Sequence, residues 1–331
     1  MNHPATATLV ATTLSTGAAG PLVRSWLHRR RSLDHPNERS SHSAPTPRGG
    51  GLACAVGAIV GATVSRMTGN GTTRAWLASS VALGAVGRLD DIVNLSAAPR
   101  LGAQVLTGAV VGGMSGGAMG AAFGTIATPA IVNAFNFMDG INGISGGTAI
   151  AWGLSVGTGP SLDPETRAQA LITAGMGLGF LPYNVPRATM FLGDIGSYLI
   201  GGGMAVTVIQ NALSGGRPDL ERVSSTLAPL APYFADTGTT LLKRAIRGES
   251  LAVAHREHAY QRLVQEAGWP HWGVAAFATA AAAMCGFAGR SRYGGAAVGP
   301  VVALYLTAPA LASAVRNKQA CYVSARNGGR K

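Results

Sequence analysis

An all-α bundle of about eleven transmembrane helices is the fold this sequence predicts, and three observations predict it. Charged residues make up 12% of the chain, about half of the roughly 25% usual for soluble domains, which leaves too little charge to clothe a soluble surface. Apolar windows of bilayer-spanning length recur from residue 5 to residue 315, so the 331 residues read as one continuous domain, 1–331, rather than two soluble ones. Lys and Arg are shared unevenly between alternate loops, as they are in polytopic membrane proteins.

The predicted helices lie at 5–23, 49–66, 75–88, 101–117, 119–135, 143–159, 168–184, 195–213, 223–242, 270–288 and 295–315. No Lys or Arg precedes the first, and Arg24, Arg29, Arg30 and Arg31 follow it. That is the polarity of an uncleaved helix with its N-terminus outside, not of a signal peptide. The second and third are apolar windows on either side of Arg66 and Arg74. The stretch 101–135 is too long for one span and is divided at Gly116 and Gly117. A break at Gly140 and Gly143 separates the fifth helix from the sixth. The seventh and eighth flank Asp194, the ninth precedes the longest polar loop, and the last two lead to a basic tail at 316–331. Alanine and the 47 glycines dominate these segments, so the helices are expected to pack by close backbone approach.

With the N-terminus outside, parity puts 24–48, 88–100, 134–142, 184–194, 243–269 and the C-terminal tail in the cytoplasm. Nineteen of the 26 Lys and Arg residues fall there, and Arg66, Arg74, Arg167, Arg217, Arg222, Arg290 and Arg292 fall outside, which supports the orientation. The same parity brings Asp90, Asp91, Asp139, Asp194 and the segment His255 to His258 to one cytoplasmic face of an inner membrane. The net charge of +12 reads as positive-inside bias and as attraction to anionic headgroups and a polyanionic substrate. Basic residues divided among membrane loops give no support to a nucleic-acid partner. Cys54 and Cys285 in apolar segments and Cys321 in the tail form neither a disulfide framework nor a zinc site.

Only 14 residues are acidic, and an ionised carboxylate at the end of an apolar helix is costly unless something binds it. Asp90 and Asp91 repel each other unless a divalent cation or a proton intervenes, and Mg²⁺ takes one or two carboxylates together with substrate phosphates; a solvated turn is the bland alternative. In NAFNFMDGING the spacing of three sets Asn133, Asn136 and Asp139 on one helical face, before Gly140, Asn142 and Gly143 expose backbone N–H groups. Interhelical hydrogen bonding by the asparagines is the alternative there. In FLGDIGS, Asp194 is either an N-cap or part of a metal-phosphate site at a helix N-terminus, with Phe191 placed to stack on a base. His255 and His258 share a face if 255–262 is helical, and with Arg256 they suit phosphate contact and proton handling; an amphipathic surface helix is the alternative. Asp236, about 10 Å from its helix end, either joins the site or bonds neighbouring helices.

Taken together, DHPNER to Gly51, GRLDDIVNLSAAPRLGAQ, NAFNFMDGINGISGG, FLPYN with MFLGDIGS, and AHREHAYQRL resemble the polyprenyl-phosphate N-acetylhexosamine-1-phosphate transferase family. The five motifs run in order from about residue 34 to 263. The resemblance implies that a polyprenyl phosphate attacks the β-phosphorus of a UDP-N-acetylhexosamine, giving polyprenyl-diphospho-sugar and UMP. It implies Asp194 as principal Mg²⁺ ligand with Asp90 and Asp91 beside it, Mn²⁺ being an allowed substitute. Either Asp90 or Asp91 orients or deprotonates the lipid phosphate. By the same pattern Asn184, Gly140, Asn142 and Phe191 hold the uridine. Asn133, Asn136, Asp139, His255, Arg256 and His258 surround the diphosphate sugar, with His255 in the catalytic set, and His42 and Arg48 lie near the acceptor phosphate. A homodimer is compatible with the family.

Two departures turn the expectation from the phospho-MurNAc-pentapeptide enzymes towards those that start O-antigen with UDP-GlcNAc or UDP-N-acetylfucosamine. HREH stands where the former carry three histidines, and PTPRGGG stands where they carry a lysine and a threonine. Two rivals fit less well. A UbiA-like prenyltransferase wants a further Asp at Asn94 and no uridine motif. A secondary transporter places its acids near the midplane and uses repeats, which this chain lacks.

Overall fold

The computed structural model of the chain describes residues 3–36, 44–69, 71, 74–159, 162–250, 256–290 and 294–328. The described residues form α1 (His3–Arg29), α2 (Gly51–Met67), α3 (Arg74–Val93), α4 (Ala97–Phe137), α5 (Ile144–Gly157), α6 (Pro164–Phe180), α7 (Gly193–Ala212), α8 (Leu220–Leu227), α9 (Ala231–Ile246), α10 (Ala259–Gln265), α11 (His271–Ala288) and α12 (Gly294–Gly328). The all-α expectation holds apart from one short antiparallel pair, β1 (Leu33–Asp34) and β2 (Thr46–Pro47), with Leu33 opposite Pro47 and Asp34 opposite Thr46.

Every predicted helix has a counterpart, and the differences lie at ends and breaks. α4 changes direction at Gly116 (φ −154°, ψ 26°) and Gly117 (φ 60°, ψ −146°), where the sequence divided it. Its two halves then pack tightly: a methyl group on Gly108 would lie 2.0 Å from Gly124 O, and one on Gly112 would lie 2.0 Å from Gly120 O. Only residues without a side chain let the backbones approach so closely. The predicted helix 223–242 is two helices, because α8 passes into a 3₁₀ turn at Ala228–Leu230 before α9 begins. Pro229 and Pro232 lack the N–H groups that a continuous helix needs. α8 also starts earlier than predicted, since the Asp219 carboxylate accepts the N–H groups of Glu221 and Arg222. α12 runs on to Gly328, so most of the predicted basic tail is helical.

α7 forms the centre, with nearly every residue from Ile195 to Ala212 buried. α3, α4, α2 and α6 pack around it. Trp76 Nε1 ties α3 to α7 by donating to Gly203 O at 2.9 Å and Thr207 Oγ1 at 3.1 Å. Trp152 Nε1 ties α5 to the end of α8 through Thr226 O at 2.8 Å. Leu14, Leu22, Leu106, Met114, Ile126 and Leu311 are exposed on the outside of the bundle, an apolar surface suited to lipid. Among the described residues, Ala97–Phe137, His271–Ala288 and Ala296–Lys318 are long and apolar enough to cross a membrane.

Candidate active site

The site is assembled around the N-terminus of α7. The first helical N–H groups need acceptors, and the N-cap position is Leu192, whose side chain has none. Asp91, from the end of α3, supplies them: its Oδ1 accepts the Asp194 N–H at 2.9 Å and its Oδ2 the Ile195 N–H at 3.1 Å. Gly193 makes this possible, because its φ of 75° favours glycine and a Cβ there would lie 2.8 Å from Asp91 Oδ2. Gly87 performs the same service one turn earlier in α3, where a Cβ would stand 2.1 Å from Asp194 O. The capping role that the sequence offered to Asp194 therefore belongs to Asp91, and Asp194 turns its side chain elsewhere.

Arg48 joins the two acids. Its Nε lies 2.9 Å from Asp91 Oδ1, and one terminal nitrogen donates to Asp194 Oδ2 at 3.0 Å. Burial pulls the Arg48 guanidinium down, but Asp194, Asp91, Asp34 and Asp139 together outweigh it and raise its pKa. Backbone lacing places Arg48 there: Phe191 donates to Pro47 O at 2.8 Å, Gly50 donates to Phe191 O at 2.8 Å, and Gly51 donates to Leu192 O at 2.9 Å. The backbone of Phe191 thus joins the segment from Pro47 to Gly50, and the residue is half-buried.

The remaining acids take distinct surroundings. Asp90 is buried and its Oδ2 pairs with Arg100 at 2.7 Å. Arg100 was not singled out in the sequence, where only its place ten residues after Asp90 marked it. Asn94, where a prenyltransferase would carry another Asp, takes φ 50° and closes α3 by donating to Asp90 O at 2.9 Å. Asp139 follows α4 in the turn leading to α5 and accepts from Ser145 Oγ at 2.6 Å. Burial raises its carboxyl to about 7; the Ser145 hydroxyl opposes this, Asp194 and Asp91 add to it, and Arg48 opposes it.

The three-residue spacing from Asn133 to Asp139 does not make one helical face, because α4 ends at Phe137. Asn136 donates to Asp194 Oδ1 at 3.0 Å and to Ser197 Oγ at 2.8 Å, so it belongs to the Asp194 cluster. Asn133 instead exchanges bonds with Gln104 across the two halves of α4, its Nδ2 donating to Gln104 Oε1 at 2.7 Å. Here the interhelical alternative is the observed one. Asn184 spends both ends of its amide on backbone: Oδ1 accepts Gly143 N–H at 2.6 Å and Nδ2 donates to Met190 O at 3.1 Å. It ties the Gly140–Gly143 turn to the segment before Phe191. Asn142 in that turn is half-exposed.

His42 and His255 lie outside the described residues. The helix expected over 255–262 is found only from Ala259 onwards, since 256–258 are not helical and α10 begins at Ala259. His258 is buried, with Nδ1 3.2 Å from Asp236 Oδ1. The next turn reaches the Asp139 loop, for Tyr260 OH donates to Phe137 O at 3.2 Å and a Cβ on Gly140 would lie 2.0 Å from the Tyr260 hydroxyl oxygen. Arg256 Nη2 is buried without a hydrogen-bond partner among the described residues.

Among the described residues no three His, Cys, Asp or Glu side chains group to hold a metal ion. Two carboxylates completed by phosphate oxygens meet the need of a hard cation such as Mg²⁺. Asp194, whose side chain is 21% exposed, fits that donor set, and Asp90, buried against Arg100, is the second carboxylate outside the α7 cap. Asp91 does not fit, because its side chain is fully covered and its oxygens hold the first backbone N–H groups of α7.

Residues 73–212 match the family model described as Glycosyl transferase family 4. A decaprenyl-phosphate N-acetylglucosaminephosphotransferase of Mycobacterium tuberculosis is 31% identical over 305 residues, covering 78% of this chain and 74% of its own. A probable undecaprenyl-phosphate N-acetylglucosaminyl 1-phosphate transferase of Bacillus subtilis is 26% identical over 267 residues, 74% of this chain and 73% of its own. A phospho-N-acetylmuramoyl-pentapeptide-transferase of Synechococcus elongatus reaches 38% identity, but over 103 residues, 29% of this chain and 28% of its own. The stretch that matches the family model runs from α3 to α7 and contains Asp90, Asp91, Asn136, Asp139 and Asp194; with the likeness to the Mycobacterium tuberculosis transferase over more than two thirds of both chains, the chain belongs to glycosyl transferase family 4, a family of membrane transferases.

Proposed function

We propose that this protein transfers N-acetylglucosamine 1-phosphate from UDP-N-acetylglucosamine to a polyprenyl phosphate and releases UMP. The observation that supports it most is the joining of Arg48, Asp91, Asn136 and Asp194 at one helix N-terminus, because an oriented arginine beside a partly exposed carboxylate suits a diphosphate with its cation. A phosphate oxygen of the lipid forms a bond to the β-phosphorus, the bond from that phosphorus to the bridging oxygen breaks, and UMP leaves with the electron pair. The nucleophile is already anionic, so the work is charge neutralisation and in-line positioning.

Arg48 and Arg100 neutralise phosphate charge, and Asn136 orients Asp194. Asp91 acts on the reaction by fixing the first turn of α7. Asp194 and Asp90 would hold Mg²⁺, which when bound supplies charge stabilisation to the diphosphate. Asn184 shapes the turn at Gly140 and Asn142 where the uridine is received. In this reading the eleven helical segments span the membrane with the N-terminus outside and the site on the cytoplasmic face. UDP-GlcNAc is preferred to UDP-N-acetylfucosamine because the relatives that cover most of the chain are named for N-acetylglucosamine transfer. The short match disfavours the muramyl-pentapeptide reaction. The site meets only the first sugar and the lipid, so whether O-antigen or another glycan follows leaves no mark on these residues.

The test is purified protein with undecaprenyl or decaprenyl phosphate, Mg²⁺ and a panel of UDP-sugars, with UMP measured. UMP is expected with UDP-GlcNAc and none after EDTA. Silence with every donor, in protein shown to be folded, would overturn the proposal.

A further inference from the structure

We propose that Asp236 is a positioning residue for the transfer: it fixes the segment Arg256–Tyr260 against the Asp139–Gly140 loop. This rests on the reading of the reaction given above. Asp236 lies in α9, away from the cluster around α7, and is 1% exposed. A buried carboxylate is expensive unless its lone pairs are used. Those of Asp236 are used by four groups. Oδ1 accepts the Ala259 N–H at 2.9 Å and the Thr240 hydroxyl at 3.3 Å, and it lies 3.2 Å from His258 Nδ1. Oδ2 accepts from Tyr305 of α12 at 3.4 Å.

The distribution of these bonds distinguishes positioning from helix packing. Thr240 lies within α9 and Tyr305 on α12, while the other two partners, His258 and the Ala259 N–H, belong to the segment that follows Arg256. Arg244, two turns further along α9, holds the same segment from its other side. It pairs with Glu257 Oε1 and Glu249 Oε2, each at 2.9 Å, and donates to Ser250 O at 2.8 Å. Arg247 adds a second bond to Glu257. One face of α9 thus determines where the segment sits, and Tyr260 carries that position to the Asp139 loop through Phe137 O. Arg256 Nη2, buried and without a partner among the described residues, is the group kept in place for an anion. Asp236 itself meets no substrate, and its effect is exerted through the segment.

The experiment measures turnover in Asp236→Asn, Arg256→Ala and the double variant, together with the rate of tryptic cleavage after Arg256 in folded wild type and folded Asp236→Asn without substrate. A segment shifted by about an ångström predicts a loss in kcat of about a hundredfold for Asp236→Asn, with a smaller change in KM. The double variant is expected to lose no more than Arg256→Ala alone, because groups acting as a unit are not additive. Tryptic cleavage after Arg256 should quicken in Asp236→Asn. Losses that multiply in the double variant, or cleavage that does not change, would overturn the proposal. If Asp236→Asn does not fold, Tyr260→Phe takes its place, since it deletes only the hydroxyl that reaches Phe137 O; turnover unchanged in that variant would also overturn it. A wild type that releases no UMP would defeat the reaction, while the cleavage comparison still decides whether Asp236 holds the segment.

Discussion

The carboxylate of Asp91 accepts the backbone N–H of Asp194 at 2.9 Å, so one acid caps α7 while the Asp194 side chain turns to Arg48 and Asn136. The two are expected to fail differently. Asp91→Ala loses a cap and uncovers the Ile195 N–H, a cost of about 2 kcal/mol or more. Its thermal midpoint in detergent should fall clearly. Asp194→Asn should keep its midpoint close to wild type and lose UMP release. A stable Asp91→Ala protein would show that α7 does not need this cap.

Arg48 spans Asp91 and Asp194 with two different nitrogens. An ammonium is a single point charge and cannot reproduce that fork. Arg48→Lys is therefore expected to lose about as much turnover as Arg48→Ala, a hundredfold or so if one charge-stabilising contact is removed. Recovery of most activity by the lysine variant would mean that charge alone matters at this position.

Gly87 leaves room for the first turn of α7. A methyl group there would lie 2.1 Å from Asp194 O, and backbone cannot yield as a flexible side chain does. Gly87→Ala should displace Asp194 and reduce kcat by about a hundredfold or more. Gly102, around which nothing lies within 4 Å, is the control, and Gly102→Ala should be silent.

Asp139 binds its proton more tightly in the folded protein, with burial raising the carboxyl to about 7, than in the unfolded chain, where an aspartate titrates near ~3.9. The resulting stability is fully present below about pH 4 and is lost as pH rises through about 7. Thermal midpoints of wild type and Asp139→Asn compared between pH 5 and 8 should show the wild type losing ground to the variant as pH increases. Parallel curves would remove Asp139 from this role.

The sequence by itself determined the helices, the break at Gly116 and Gly117, and the gathering of the acids at one end. Those follow from apolar length, glycine and loop parity, which are local properties of the chain. It also marked Asp90, Asp91, Asp139 and Asp194, since a carboxylate beside an apolar helix is rare enough to be noticed. It did not separate tasks among residues of the same type. Asn133 and Asn136 are three residues apart, yet one bonds Gln104 and the other bonds Asp194. Only tertiary structure decided that Asp91 caps α7, that Arg100 answers Asp90, and that Asp236 receives Nδ1 of His258. Each of these joins residues on different helices. The orphan N–H groups of a helix and the charge of a buried acid have to be satisfied, but which distant side chain does so depends on how the helices pack, and no local pattern in the chain records that choice.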